Sequence, residues 1–391
     1  MVKAVVLTGP DADLRVEEIG LEPPGYGEVE VRHSAILSTT LDHAFCRPWI
    51  SQLAETDEDA NIASQLFCDV YGSIPGFTAA GVITELGSGV INFRIGQRVV
   101  YCNFPTKELL AYHASASRTG GADDMTQTSH GIAPIYMRHA STAPSGSYSE
   151  ARIIHADNLI LLPEHVCDED AAALLFPFFI TTILSHEHIL PATFQQRLLE
   201  DQKPSISVYP KDCFLGSLIC QWALHTGAEV VESSILRESN SNESTEPPYA
   251  GDHRRELSRR HGINLVYDFH REISQKELLS WSTSFGIYLS LKENLMASTY
   301  WIKENKHLKE EKNLLTILCS QNSHSQGLKE VSSELFSLMY HGKLARPPIK
   351  KYVLELVDEA FRDVHQSQVE SLSFFLLIPP VLNPNIFPDA S

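Results

Sequence analysis

The chain reads as an α/β protein in two parts, a small β-barrel-like domain followed by a doubly wound parallel sheet. Two observations predict this. The N-terminal quarter carries short runs of strand texture separated by turn residues. From Asp168 onward, buried β-branched runs alternate with longer helical ones. A length of 391 residues accommodates two ordinary domains, and a hydrophobic content of 43% is enough for both cores.

Taken in order, "VKAVVL", "LRVEEIG" and "EVEVRHSAIL" are the first strands, divided by the turns "TGPDAD" and "LEPPGYG". "AAGVITELGSGV" and "IGQRVVYC" continue the pattern, and strand texture resumes in "GSYSEARIIHADNLILLPEHV". Two insertions, near residues 49–73 and 105–145, break the rhythm with acidic and polar stretches. The apolar run of residues 171–184 falls short of the ~20 residues a bilayer requires, and Pro177 interrupts it. Beyond it, "PSISVYP", "EVVESS", "NLVYDF", "GIYLSL" and "LLTILCS" are candidate buried strands, and "GSLICQWALHTGA" is a helix ending near Gly227. The amphipathic run "GLKEVSSELFSLMYHGKL", the helical "LVDEAFRDVHQ" and the strand "SFFLLIPP" close the chain.

A formal charge of -18 repels phosphate and excludes nucleic acid and anionic membranes as expected partners. Seven scattered cysteines without a CxxC pair read as reduced thiols. The opening "MVKAVVLTG" is too short for a signal peptide and reads as a strand, so the expected location is the cytoplasm, or a host cytosol after export without a signal.

The segments "KAVVLTGPDADLRVEEIGLEPPGYGEVEV", "IPGFTAAGVITELGSGVINFRIGQRVVY", "GSYSEARIIHADNLILLP", "GSLICQWALHTGAEV" and "SSELFSLMYHGKL", in this order, resemble the quinone oxidoreductase branch of the medium-chain dehydrogenase/reductase superfamily. The resemblance implies a GroES-like β-barrel domain over residues 1–160 and a Rossmann domain over residues 161–326. It also implies a C-terminal segment, residues 327–391, that returns to the first domain. It further implies NADPH as cofactor, a quinone or activated alkene as substrate, and a homodimer. The zinc-dependent relatives carry Gly-His-Glu where this chain has Gly76, Phe77 and Thr78, so no catalytic zinc is expected. His186 and His188 diverge at i and i+2 and make no metal pair.

Laid on this chain, the family's nucleotide motif, close to AAxGGVG, covers residues 210–216. Its central glycines become Cys213 and Phe214, Leu215 follows, and Gly216 alone is kept; Pro210 and Asp212 add restriction and negative charge. The threonine that family members offer the cofactor falls in Phe178-Phe179-Ile180, the catalytic-region asparagine on Thr39, and a nearby tyrosine on Ala44. The family strand end "V-Y-D-S-V-G" becomes "IYLSLK", without its aspartate and glycine. Arg254 stands where the family has a lysine for the adenosine 2′-phosphate, with Arg255, Arg259 and Arg260 close by; the same run also reads as a solvated basic helix face. Two functional readings therefore stand together. One is a divergent NADPH-dependent reductase of quinones or enones with weak or lost activity. The other is a non-catalytic homologue that uses the scaffold to bind a partner.

Overall fold

Inward-facing Val29, Val31, Ala35, Ile36 and Leu37 make β3 (Glu28–Ser38) the spine of the first half. The computed structural model describes residues 1–7, 14–39, 42, 74–102, 146–185, 205–209, 214–230, 265–268, 287–291, 296–303, 306–313, 325–345, 348–367 and 374–380. Both expected insertions fall outside these residues, as does the expected strand "LLTILCS".

A hairpin of β1 (Val2–Leu7) and β2 (Leu14–Ile19) stands beside a seven-stranded sheet. That sheet runs in the order β14-β15-β3-β4-β5-β7, with β6 also paired to β3. Its members are β4 (Thr78–Leu86), β5 (Arg98–Cys102), β6 (Ala151–His155), β7 (Ile160–Leu161), β14 (Ile349–Val353) and β15 (Phe374–Ile378). Register shifts on β3 between Glu30 and Val31 and between His33 and Ala35 bend the sheet, as bulges do. In the C-terminal segment β15 pairs with β3, Phe375 lying opposite Ser38, and α4 (Val357–Ser367) packs beneath it.

The second sheet runs β13-β12-β11-β10-β8-β9. Its parallel part is β8 (Ser205–Tyr209), β9 (Glu229–Val230), β10 (Leu265–Asp268) and β11 (Ile287–Leu291). The helix α2 (Phe214–His225) joins β8 to β9. Strands β12 (Met296–Lys303) and β13 (Lys306–Asn313) extend this sheet as an antiparallel hairpin, which the sequence reading did not assign. Only its inner strand carries a readable signal, a β-branched and aromatic run that ends before Glu304 and Asn305. The outer strand reads "KHLKEEKN".

Between the sheets lies α1 (Asp168–Ser185), whose positions 170–182 are all buried. The sequence expectation that Pro177 interrupts this run is corrected, because the helix continues through it. A helix-interior proline costs ~3 kcal/mol. Burying Phe176, Phe178 and Phe179 returns ~1.5–3 kcal/mol each, so packing wins. The last helix, α3 (Ser325–Tyr340), packs on α1. Among the described residues no helix is long and apolar enough to cross a membrane.

Gly146 threads the chain past the strand-like segment before β4. A Cβ there would lie 1.9 Å from the Ile74 carbonyl oxygen and 2.1 Å from that of Pro75. This approach lets Ser147 N–H donate to Gly76 O and Tyr148 N–H donate to Pro75 O. Gly146→Ala is expected to destabilise the protein by about 1–3 kcal/mol, because both obstacles are backbone and cannot rotate away. Urea unfolding of the two proteins checks this.

Candidate active site

As β3 ends, the chain passes Ser38 and Thr39 and reaches Asp42, 2% exposed. The Thr39 N–H donates to Asp42 Oδ2 at 2.7 Å, the Thr39 hydroxyl meets the same oxygen at 2.6 Å, and Asp42 N–H donates to Thr39 Oγ1 at 3.3 Å. This reciprocal T-x-x-D arrangement is a capping box with Asp in the carboxylate position. The Tyr148 hydroxyl donates to Ser38 Oγ at 3.0 Å and lies close enough to Asp42 to favour its ionised form. Asp42 Oδ1 is buried and has no hydrogen-bond partner among the described residues.

Burial raises the Asp42 carboxyl to about 7; the hydroxyl and N–H of Thr39, and then Tyr148, only partly oppose it. At the end of β5, burial pushes the Cys102 thiol up to about 12, with the charge of Asp42 contributing. One layer deeper, His33 is fully enclosed. Its Nδ1 lies 2.7 Å from the Ser149 carbonyl oxygen and its Nε2 lies 2.9 Å from the Tyr101 hydroxyl. The carbonyl accepts only, which assigns the proton to Nδ1 and leaves Nε2 to accept from Tyr101. Desolvation lowers His33 to about 4; its bond to Ser149 opposes this, and the positive charges of Arg152 and Arg32 add to it. Arg152 lies over the Tyr101 ring at 5.5 Å.

In the second sheet, β8 is flanked by β9 on one side and by β10 on the other, so the chain reverses its direction of winding there. Doubly wound sheets take nucleotides at such a switch point, beyond the carboxyl ends of the strands, here Tyr209 and Asp268. Of the nucleotide positions expected from sequence, Phe214 is the first residue of α2, Leu215 is half-buried against the core and Gly216 is buried in the helix's first turn. Cys213 and Arg254 lie outside the described residues, as do Ala44, His186 and His188. Among the described residues, β8 and α2 supply the strand and the helix that flank such a switch point.

Phe178, Phe179 and Ile180 are buried in α1 and serve the core. The hydroxyls of Thr181 and Thr182, just beyond them, donate to the Pro177 and Phe179 carbonyls. Phe77 packs half-buried against the same core, and Gly76 lies against Tyr148. A continuous apolar cluster joins the two ends of the candidate site. It holds Leu37 and Cys102 from the first sheet with Ile206, Val208 and Tyr267 from the second. Sequence reasoning placed Thr39 at the site and missed Asp42, Tyr148 and Ser38. The spacing of Thr39 and Asp42, a capping signature, was the readable signal.

A family profile, the alcohol dehydrogenase GroES-like domain, matches residues 27–164. The chain is 24% identical over 286 residues to a 2-haloacrylate reductase from a Burkholderia species. That alignment covers 68% of this chain and 66% of the relative, just under two thirds of its length. A quinone oxidoreductase of Pseudomonas syringae pv. Tomato DC3000 superposes with a TM-score of 0.58 at 20% identity, over 96% of this chain and 100% of that one. A mycobacterial protein solved in complex with NADPH gives 0.58 at 16% identity, over 97% and 100%. The fold is shared with these two solved structures.

The two buried groups make opposite contributions to stability. A carboxyl raised to about 7 stabilises the fold fully below its unfolded value near 4 and loses that contribution as pH rises to 7. A histidine lowered to about 4 contributes fully above 6.5 and loses its share as pH falls to 4. Between pH 4 and 6.5 the two slopes offset one another. Asp42→Asn removes one of them and keeps an acceptor for Thr39. Its gain over wild type is expected to grow from near zero at pH 4 to roughly 2–4 kcal/mol at pH 8, read from denaturant unfolding across pH. A gain independent of pH would contradict the assignment.

Proposed function

We propose that this chain, a quinone oxidoreductase-like member of the medium-chain dehydrogenase/reductase superfamily, reduces a small quinone or activated alkene with hydride from NADPH. The observation that carries the reading is the β8–α2 crossover at the switch point of the sheet, in a chain whose residues 27–164 match the GroES-like domain. A relative is a 2-haloacrylate reductase, and a structural neighbour is a quinone oxidoreductase, which supports the same reaction class here.

The start of α2, with Cys213, Phe214, Leu215 and Gly216, would face the pyrophosphate, and Arg254 would meet the 2′-phosphate. Thr39 would lie on the substrate side. Only Gly216 keeps the minimal side chain of the phosphate turn, so cofactor affinity is expected to be weak. That same substitution favours the second reading, a non-catalytic scaffold for a partner, in which the crossover is kept for packing alone. A homodimer remains part of the proposal that the family resemblance supplies, and a cytoplasmic location is the part that the scattered cysteines support.

Titration of the protein with NADPH, followed by fluorescence, and NADPH oxidation with 1,4-benzoquinone or 2-cyclohexenone separate the two readings. Saturable binding and turnover are expected; a folded protein that shows neither refutes the reductase reading. The pair Cys213→Gly and Phe214→Gly is expected to tighten NADPH binding at least ~10-fold, equivalent to ~1.4 kcal/mol. Unchanged affinity would place the obstacle outside those two side chains.

A further inference from the structure

We propose that Thr39 delivers the proton that completes reduction of the substrate and that Asp42, buried behind it, resupplies Thr39; the inference rests on the reductase reading above. A capping box alone does not account for this pair. Such carboxylates ordinarily sit ionised at a surface, where water holds the oxygen that the cap does not use. Here Asp42 is 2% exposed and Oδ1 has no partner among the described residues, so little stabilises the charge on that side.

Thr39 is half-exposed at the end of β3, and its hydroxyl oxygen lies 2.6 Å from Asp42 Oδ2. A neutral carboxyl donates across that distance to Thr39 Oγ1, which frees the threonine hydrogen to point away from Asp42. On the other side stand the Tyr148 and Ser38 hydroxyls, 3.0 Å apart, which extend the chain of exchangeable protons. The groups facing Asp42 are the Thr39 hydroxyl after β3, the Tyr148 hydroxyl before β6 and the Cys102 thiol on β5. The thiol, raised to about 12, stays neutral. No cation pairs with Asp42 among the described residues. A carboxyl at about 7 is half protonated at neutral pH, where a general acid works best.

The proton balance closes. NADPH, when bound, supplies the hydride, and an activated alkene that has gained it is an enolate that needs one proton. The Thr39 Oγ1–H bond breaks as the new bond to the substrate forms. The Asp42 Oδ2–H bond breaks as Oγ1 regains its hydrogen, leaving a carboxylate that takes one proton from water. Asp42 acts through Thr39 and is a positioning residue and proton store, not a group that touches the substrate.

The test compares wild type with D42N, T39V, T39S and the double variant T39V/D42N, each checked for folding by circular dichroism. With NADPH and 2-cyclohexenone, D42N and T39V are expected to lower kcat by at least ~100-fold while KM for NADPH stays unchanged. T39S, which keeps the hydroxyl, restores turnover. The double variant is no slower than either single one, and wild-type kcat falls above a midpoint of about 7. A second readout needs no cofactor. The infrared difference between wild type and D42N at pH 5 shows a protonated-carboxyl carbonyl band that disappears as pH rises through about 7. Turnover that D42N and T39V leave intact, or the absence of that band, overturns the relay alone. No NADPH oxidation by wild type with either 1,4-benzoquinone or 2-cyclohexenone overturns the reductase reading and the relay with it.

Discussion

The structure depends on how α1 is held between the two sheets. Its first residue, Asp168, accepts from Arg98 Nε on β5 at 2.8 Å and also from Ser34 on β3. A carboxylate at a helix N-terminus is favoured by the helix dipole as well, so this one side chain pins both the direction and the height of α1 over the first sheet. From there the helix is enclosed on every side, and its apolar run merges with side chains from β8, β10 and α2 into one cluster. The end of β3 and the start of α2 are therefore held through a shared core, and not by a flexible linker. The proposed hydride transfer would need such a fixed relation, because that step tolerates little error in the approach of donor and acceptor.

That rigidity has an electrostatic consequence. A packed interior that encloses Asp42 on one side and His33 on the other shifts them in opposite directions, for one reason: burial penalises whichever form is charged. His33 answers by staying neutral and spending both ring nitrogens on fixed partners, so it is a structural group. Among the described residues Asp42 Oδ1 has no partner, while Oδ2 meets the hydroxyl of the half-exposed Thr39. The difference between a structural and a chemical role lies in that unspent oxygen and in the hydroxyl it can reach through its partner.

Strand and helix order was legible wherever burial follows a simple period, as in β3, β4 and α3. The return of the C-terminal strand to β3 followed from the family resemblance. Pro177 misled because local propensity was weighed without the packing of the three phenylalanines around it. The hairpin at residues 296–313 was missed for the converse reason: its outer strand is made of lysines and glutamates, so no apolar alternation announces it. At the candidate site, the family likeness pointed to Thr39. Asp42 and Tyr148 were not found, because their meeting is tertiary: Tyr148 follows a long insertion, and only the close passage at Gly146 brings it to Ser38.

The proposed function requires the end of β3 and the start of α2 to form the two ends of one NADPH-dependent site. A crystal structure of the protein soaked with NADPH tests it most directly. Pyrophosphate is expected at the N-terminus of α2 and the nicotinamide ring beside Thr39. A cofactor bound elsewhere, or a switch point blocked by the side chain of Phe214 at saturating NADPH, would contradict it.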